Sequence, residues 1–161
     1  MTNYKSKGEK ERMKYNSINL SELIPNFDSF RVFINDHKDI VDTGKLAQFY
    51  CEKLLDLKGI KPFNTKGMDL ESRDGKIKYE VKYRKGDFSD KTPIGMEIDL
   101  SRINYVLYVE LNPETLLPNK IFKIKSEDIQ YKKGKRVSFN KAFKDKKIEA
   151  IIIKQNEKTK K

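Results

Sequence analysis

Asp69, Glu80 and Lys82 are the side chains whose types and spacing could do chemistry together. They fall in the run G-M-D-L-E-S-R-D-G-K-I-K-Y-E-V-K-Y-R, residues 67–84, which reads as strand, tight turn and strand. Asp-Gly between two strand-like runs is a strong hairpin signal. A two-residue turn at Asp74-Gly75 pairs Arg73 with Lys76, Glu71 with Lys78, and Asp69 with Glu80. Opposed Cβ atoms on one face of a sheet lie about 4.5–5.5 Å apart. Two carboxylates so placed repel each other unless positive charge comes between them. A divalent cation held by oxygen ligands meets that need.

Strand alternation sends Ile77, Tyr79, Val81 and Tyr83 to one side and Lys78, Glu80, Lys82 and Arg84 to the other. The first set suits a core, so Tyr79 and Tyr83 are read as core rather than as base-stacking groups. The second set places Lys82 beside Glu80 and Arg84 one step further. An amphipathic strand with a solvated charged face has the same local pattern, so the motif depends on its structural context.

That context begins with helices. Residues 19–24 suggest a short helix capped by Asn19 or Ser21 and stopped near Pro25, and residues 28–40 a second one. Residues 44–58 are the clearest helix: Leu46, Phe49, Tyr50, Leu54 and Leu57 follow helical spacing, Gly59 ends it, and Gln48 and Glu52 share one direction on the polar side. After the hairpin, residues 85–102 form a long polar loop, of the kind that often carries function. The nearly continuous apolar run at 103–111 reads as a central strand buried on both faces, ended by Asn112-Pro113. Residues 120–125 make an alternating strand, 126–129 a short helix capped by Ser126, 131–136 a basic turn, and 148–153 a last strand. This order predicts an α/β or α+β fold with a mixed central sheet flanked by helices.

The chain has 161 residues, enough for one domain spanning 1–161, with basic, frayed ends at 1–15 and 154–161. A net charge of +11 points to a polyanionic partner. The single cysteine, Cys51, excludes an intrachain disulfide framework and is read as a core residue. The single histidine, His37, stands among Asn35, Asp36, Lys38 and Asp39 and is read as exposed, and no Cys/His cluster suits zinc. No apolar run is long enough to span a membrane and no signal peptide is visible, so a cytoplasmic location is expected.

The order of elements over residues 40–130 resembles the PD-(D/E)xK nuclease superfamily, the restriction-endonuclease-like fold. The resemblance rests on Gln48 on the polar face of a helix, Asp69 on one strand, and Glu80-Val81-Lys82 on the next. The G-K-L-x-Q helix opening and the Y-E-x-K strand are similar to those of small type II restriction endonucleases, the PvuII-like enzymes. Met68 stands where the superfamily often has proline, and Gln48 where it often has glutamate.

The resemblance implies an Mg²⁺-dependent DNA endonuclease, with Mn²⁺ as a substitute cofactor. Asp69, Glu80 and the Val81 main-chain carbonyl would hold the metal, and Glu52 a second metal or a supporting contact. Lys82 would position the attacking water and offset phosphate charge, with Gln48 assisting. Arg84 and the basic turn Lys132, Lys133, Lys135 and Arg136 would contact phosphates. The expected partner is double-stranded DNA, cut by a homodimer. A Holliday-junction-resolvase-like nuclease, a nuclease-fold module that binds nucleic acid without cleaving it, and a basic adaptor with an ordinary charged hairpin are the alternatives. Loops 85–102 and 131–147 are where recognition would lie.

Overall fold

The computed structural model describes residues 14–60, 68–86, 97–134 and 136–155. It is an α+β structure built on a mixed seven-stranded sheet. In chain order the elements are β1 (Lys14–Asn19), α1 (Leu20–Leu23), α2 (Phe27–Asp36), α3 (Thr43–Leu54), β2 (Lys58–Gly59), β3 (Leu70–Glu71) and β4 (Lys78–Lys85). They continue with a 3₁₀ turn (Leu100–Arg102), β5 (Tyr105–Leu111), β6 (Pro118–Lys125), a second 3₁₀ turn (Ser126–Asp128), β7 (Gln130–Lys133), β8 (Arg136–Ser138), α4 (Asn140–Lys144) and β9 (Ile148–Lys154). The strand order is β1-β9-β6-β5-β4-β3-β2, and β7 and β8 form a separate two-stranded sheet. The β1–β9 and β4–β5 pairs are parallel, and the others in the large sheet antiparallel.

β5 is central and buried on both faces, as its apolar run predicts. Alternate residues enter two cores: Leu107, Val109 and Leu111 join α3 and Tyr79 and Val81 of β4, while Val106 and Tyr108 join Phe122, Val137, Phe139 and Ala142. The hairpin β7–β8 and α4 therefore pack against the face opposite α3. Tyr108 and Phe139 meet edge to face, with ring centroids 5.7 Å apart.

α3 begins at Asp42, whose carboxylate accepts the Lys45 N–H. It ends earlier than expected. Asp56, not Gly59, takes the left-handed conformation (φ 53°) that turns the chain, and Lys58–Gly59 go on to pair as β2. Its inward face carries Leu46, Ala47, Tyr50, Cys51 and Leu54, so Cys51 is the core residue expected. The buried Tyr50 hydroxyl donates to the Leu116 carbonyl at 2.9 Å, tying α3 to the β5–β6 connection. This bond fixes the helix that presents Gln48.

Several expectations change. Asn19 caps α1 as predicted, but the residues before it form β1, so Lys14 and Tyr15 belong to the sheet rather than a frayed end, as does Lys154 at the end of β9. The parallel partner of β1 lies more than a hundred residues away, which no local pattern announces. α2 stops at Asp36 instead of continuing to 40. His37 is half-buried: its ring stacks on Phe33 and its Nδ1 lies 2.8 Å from the Phe33 carbonyl oxygen. Ser126 starts its 3₁₀ turn rather than capping it. The basic segment expected as a turn is largely strand: Gln130–Lys133 and Arg136–Ser138 pair as β7 and β8, and Gly134 after β7 takes a positive φ.

Tyr50→Phe keeps the packing but leaves the Leu116 carbonyl without its donor. It should cost about 1–2 kcal/mol in urea unfolding, with the far-ultraviolet circular dichroism of the native state unchanged.

Candidate active site

The site is built at the end of the β3–β4 hairpin. The turn is not the two-residue loop expected. Ser72 and Ile77 close a four-residue loop: the Ser72 carbonyl accepts the Gly75 N–H at 2.8 Å, Asp74 Oδ1 accepts the Lys76 N–H and the Ser72 hydroxyl, and Gly75 has φ 74°. Arg73 and Lys76 are thus loop residues, and the Arg73 guanidinium bonds Asp56 instead. Lengthening a hairpin loop by one residue from each strand leaves the pairing beyond it unchanged. Glu71 still faces Lys78, as counted from the sequence, and Leu70 faces Tyr79.

The paired register ends at Leu70. The Asp69 N–H bonds the Tyr79 carbonyl at 2.9 Å, and beyond that point Asp69 meets β4 through its side chain. One carboxylate oxygen accepts the Val81 N–H at 2.8 Å, and the other accepts from Gln48 Nε2 of α3 at 3.1 Å. Asp69 and Glu80 come together as expected, but at the end of the paired segment rather than as a pair within it.

Glu80 is 8% exposed. One of its oxygens lies 3.0 Å from the Lys82 ammonium, two residues along the same face. The other is buried with no hydrogen-bond partner. Burial raises the Glu80 pKa, the Asp69 charge and its carboxylate contact raise it further, and Lys82 opposes them. The neighbouring acid Glu71 is in the reverse situation. Lys78 and Lys58 both bond it, and the Lys78 bond holds its pKa below the ordinary carboxylate range. Glu71 is thus neutralised in place, while Asp69 and Glu80 share a surplus of negative charge.

This donor set fits a hard divalent cation: two adjacent carboxylates and an unsatisfied buried oxygen. Glu52 does not join them. Among the described residues no three His, Cys, Asp or Glu side chains form a group of metal-binding size. Gln48 is brought in, through Asp69.

Arg84 continues the Lys82 face of β4 and is half-buried. Tyr83 corrects the core assignment. It is 40% exposed at the start of α3, where the Gly44 backbone approaches its ring. Tyr79 is in the core as predicted. Lys132 and Arg136 are exposed on the β7–β8 hairpin, which packs over Tyr108 on the face that carries Glu80 and Lys82. Lys135 and the side chain of Lys133 lie outside the described residues, as does most of the 85–102 loop. Glu110, within the apolar run of β5 and only 3% exposed, is a buried charge that the hydrophobic pattern of the strand conceals. Its parity with Val106 and Tyr108 is the signal that could have marked it.

A raised carboxyl pKa in the folded state means that stability falls as pH rises through the interval between the unfolded value, about 4.3, and the higher folded one. The native state holds the proton longer, and above its folded pKa the full cost of ionising Glu80 is present. Glu80→Gln should therefore raise the melting temperature of the metal-free protein at pH 7 by roughly 2–4 °C per kcal/mol relieved. The gain should shrink towards pH 4, and thermal scans across pH 4–8 read it. Millimolar Mg²⁺ or Mn²⁺ should stabilise the unsubstituted protein and not Glu80→Gln. No protein-family model matches the chain, and no curated protein matches it in sequence.

Proposed function

We propose that this protein is a divalent-metal-dependent DNA endonuclease with a restriction-endonuclease-like site, hydrolysing phosphodiester bonds of double-stranded DNA in the cytoplasm. The observation that carries the reading is the Asp69–Glu80 carboxylate pair, with an unsatisfied buried oxygen on Glu80 and the Lys82 ammonium on its other oxygen. Asp69 and Glu80, with the Val81 carbonyl, would hold Mg²⁺ or Mn²⁺. Bound there, the cation supplies Lewis-acid charge beside the scissile phosphate and makes water more acidic.

The chain's own groups divide the remaining work. Lys82 orients the attacking water and offsets the negative charge that develops on the phosphate oxygens. Lys82 works by position and charge, its ammonium held 3.0 Å from a Glu80 oxygen on the same face. Gln48 and the Val81 N–H fix the Asp69 carboxylate, which spares it a reorientation when the substrate arrives. Arg84, Lys132 and Arg136 offer cations on the same face to the DNA backbone. Cutting both strands of a palindromic duplex calls for two such sites related by a twofold axis, and the reading includes a homodimer.

Incubated with duplex DNA and Mg²⁺ or Mn²⁺, the purified protein should cleave it, and Asp69→Ala, Glu80→Ala and Lys82→Ala should each abolish cleavage. Cleavage that survives all three rejects the site. Calorimetric titration with Mg²⁺ gives a readout independent of turnover. Lys132→Ala and Arg136→Ala should each reduce the slope of log binding constant against log salt by about 1. One observation favours a second reading, a nucleic-acid-binding module without catalysis: position 48 carries an amide, and among the described residues no third acid joins the pair. Salt-sensitive DNA binding with no heat of metal binding selects it.

A further inference from the structure

Glu80 and Glu110 are the buried charged residues among those described, and the metal-holding role accounts only for Glu80. Glu110 sits in the central strand β5, where an apolar residue would pack without losing solvation. Its in-register neighbours are Arg84 on the parallel strand β4 and Lys120 on the antiparallel strand β6. Alternation puts these three on the face shared by Tyr108 and by Lys82, itself in register with Tyr108. Lys120 lies on the β6 side of Glu110, its ammonium 5.4 Å from the Phe122 ring centroid, and Arg84 lies on the β4 side, towards Lys82 and Glu80. Both Arg84 and Glu110 act electrostatically on the buried Tyr108 hydroxyl. Its pKa is pushed up to about 12 by burial, with Arg84 lowering it and Glu110 raising it.

We propose that Glu110 is a positioning residue: its buried carboxylate fixes the Arg84 guanidinium beside Lys82, so that Arg84 presents its remaining N–H donors to a DNA backbone phosphate. The inference rests on the nuclease reading for the identity of the anion, and on sheet register for the pair. A guanidinium suits the task because it is planar, always charged and carries five donors in a fixed fork. A carboxylate can take two on one edge and leave the others directed outward. Lysine at 84 would keep the charge and lose the fork.

Two measurements test it. The first is the Arg84 Nε–H resonance, assigned by its loss in Arg84→Lys. It should exchange slowly with solvent in the unsubstituted protein and broaden or vanish in Glu110→Gln. The second is metal-free binding to a fluorescent DNA duplex. Glu110→Gln should weaken it about tenfold, yet by less than about twofold once Arg84→Lys is already present. An unchanged resonance, or two substitutions whose effects simply multiply, overturns the inference. Should Glu110→Gln fail to fold, Glu110→Asp, which withdraws the charge by one methylene, is read by the same two criteria. If the unsubstituted chain binds no duplex, the nucleic-acid reading fails and the phosphate role of Arg84 falls with it, whatever the resonance does. If it binds while the resonance or the cycle fails, the positioning role alone falls.

Discussion

Two carboxylates meeting where little water reaches them set the terms for everything around them. The β3–β4 hairpin could have dispersed that charge, because it does so one step away: Glu71 lies between Lys58 and Lys78 and is neutralised. At Asp69 and Glu80 the same strands supply one ammonium for two acids and leave a buried oxygen unpaired. A fold selected only for stability would place a second lysine or an amide there, since an unsatisfied buried acceptor costs about 1–3 kcal/mol. The difference between Glu71 and Glu80 separates an acid that holds the hairpin together from one left with a buried oxygen unpaired.

The scaffold serves this pair by immobilising Asp69. Its two oxygens accept from groups on different elements, an amide of α3 and a main-chain N–H of β4, so its orientation depends on how the helix sits on the sheet. That placement depends in turn on Tyr50, which is fully buried and bonded to the β5–β6 connection. Helix, turn and carboxylate form one mechanical chain. An amide at position 48 fits it better than an acid would, because it donates to Asp69 and adds no third negative charge.

The acid pair was legible because hairpin register is arithmetic. Glu71 faces Lys78 whether the loop has two residues or four, so misreading the turn at Asp74-Gly75 left the positions of Asp69 and Glu80 intact. The burial of β5 was legible for a similar reason, since Val106–Val109 is apolar without alternation. What failed to show were relations between distant segments. β1 is a short polar strand whose partner lies at the other end of the chain, and α4 is a single helical turn. Tyr83 obeys the alternation of β4 yet is exposed, because parity assigns a side chain to a face without saying how far the covering helix extends along it.

Glu110 shows where the same reasoning reaches its limit and how the sheet extends it. In the sequence it is one acid at the end of an apolar strand, and the connection from β4 to β5 is too long for counting to align the two. Once β4 and β5 pair in parallel, Arg84 falls beside Glu110 and Lys82 beside Tyr108. The face that begins at the carboxylate pair then continues as Lys82, Arg84 and Glu110 across two strands. A buried carboxylate that draws its countercharge from the adjoining strand restricts that cation's rotamers, and a restricted guanidinium binds an anion with less entropy to lose. On the proposed role, the cost of burying Glu110 in a strand covered on both faces is recovered as order in Arg84.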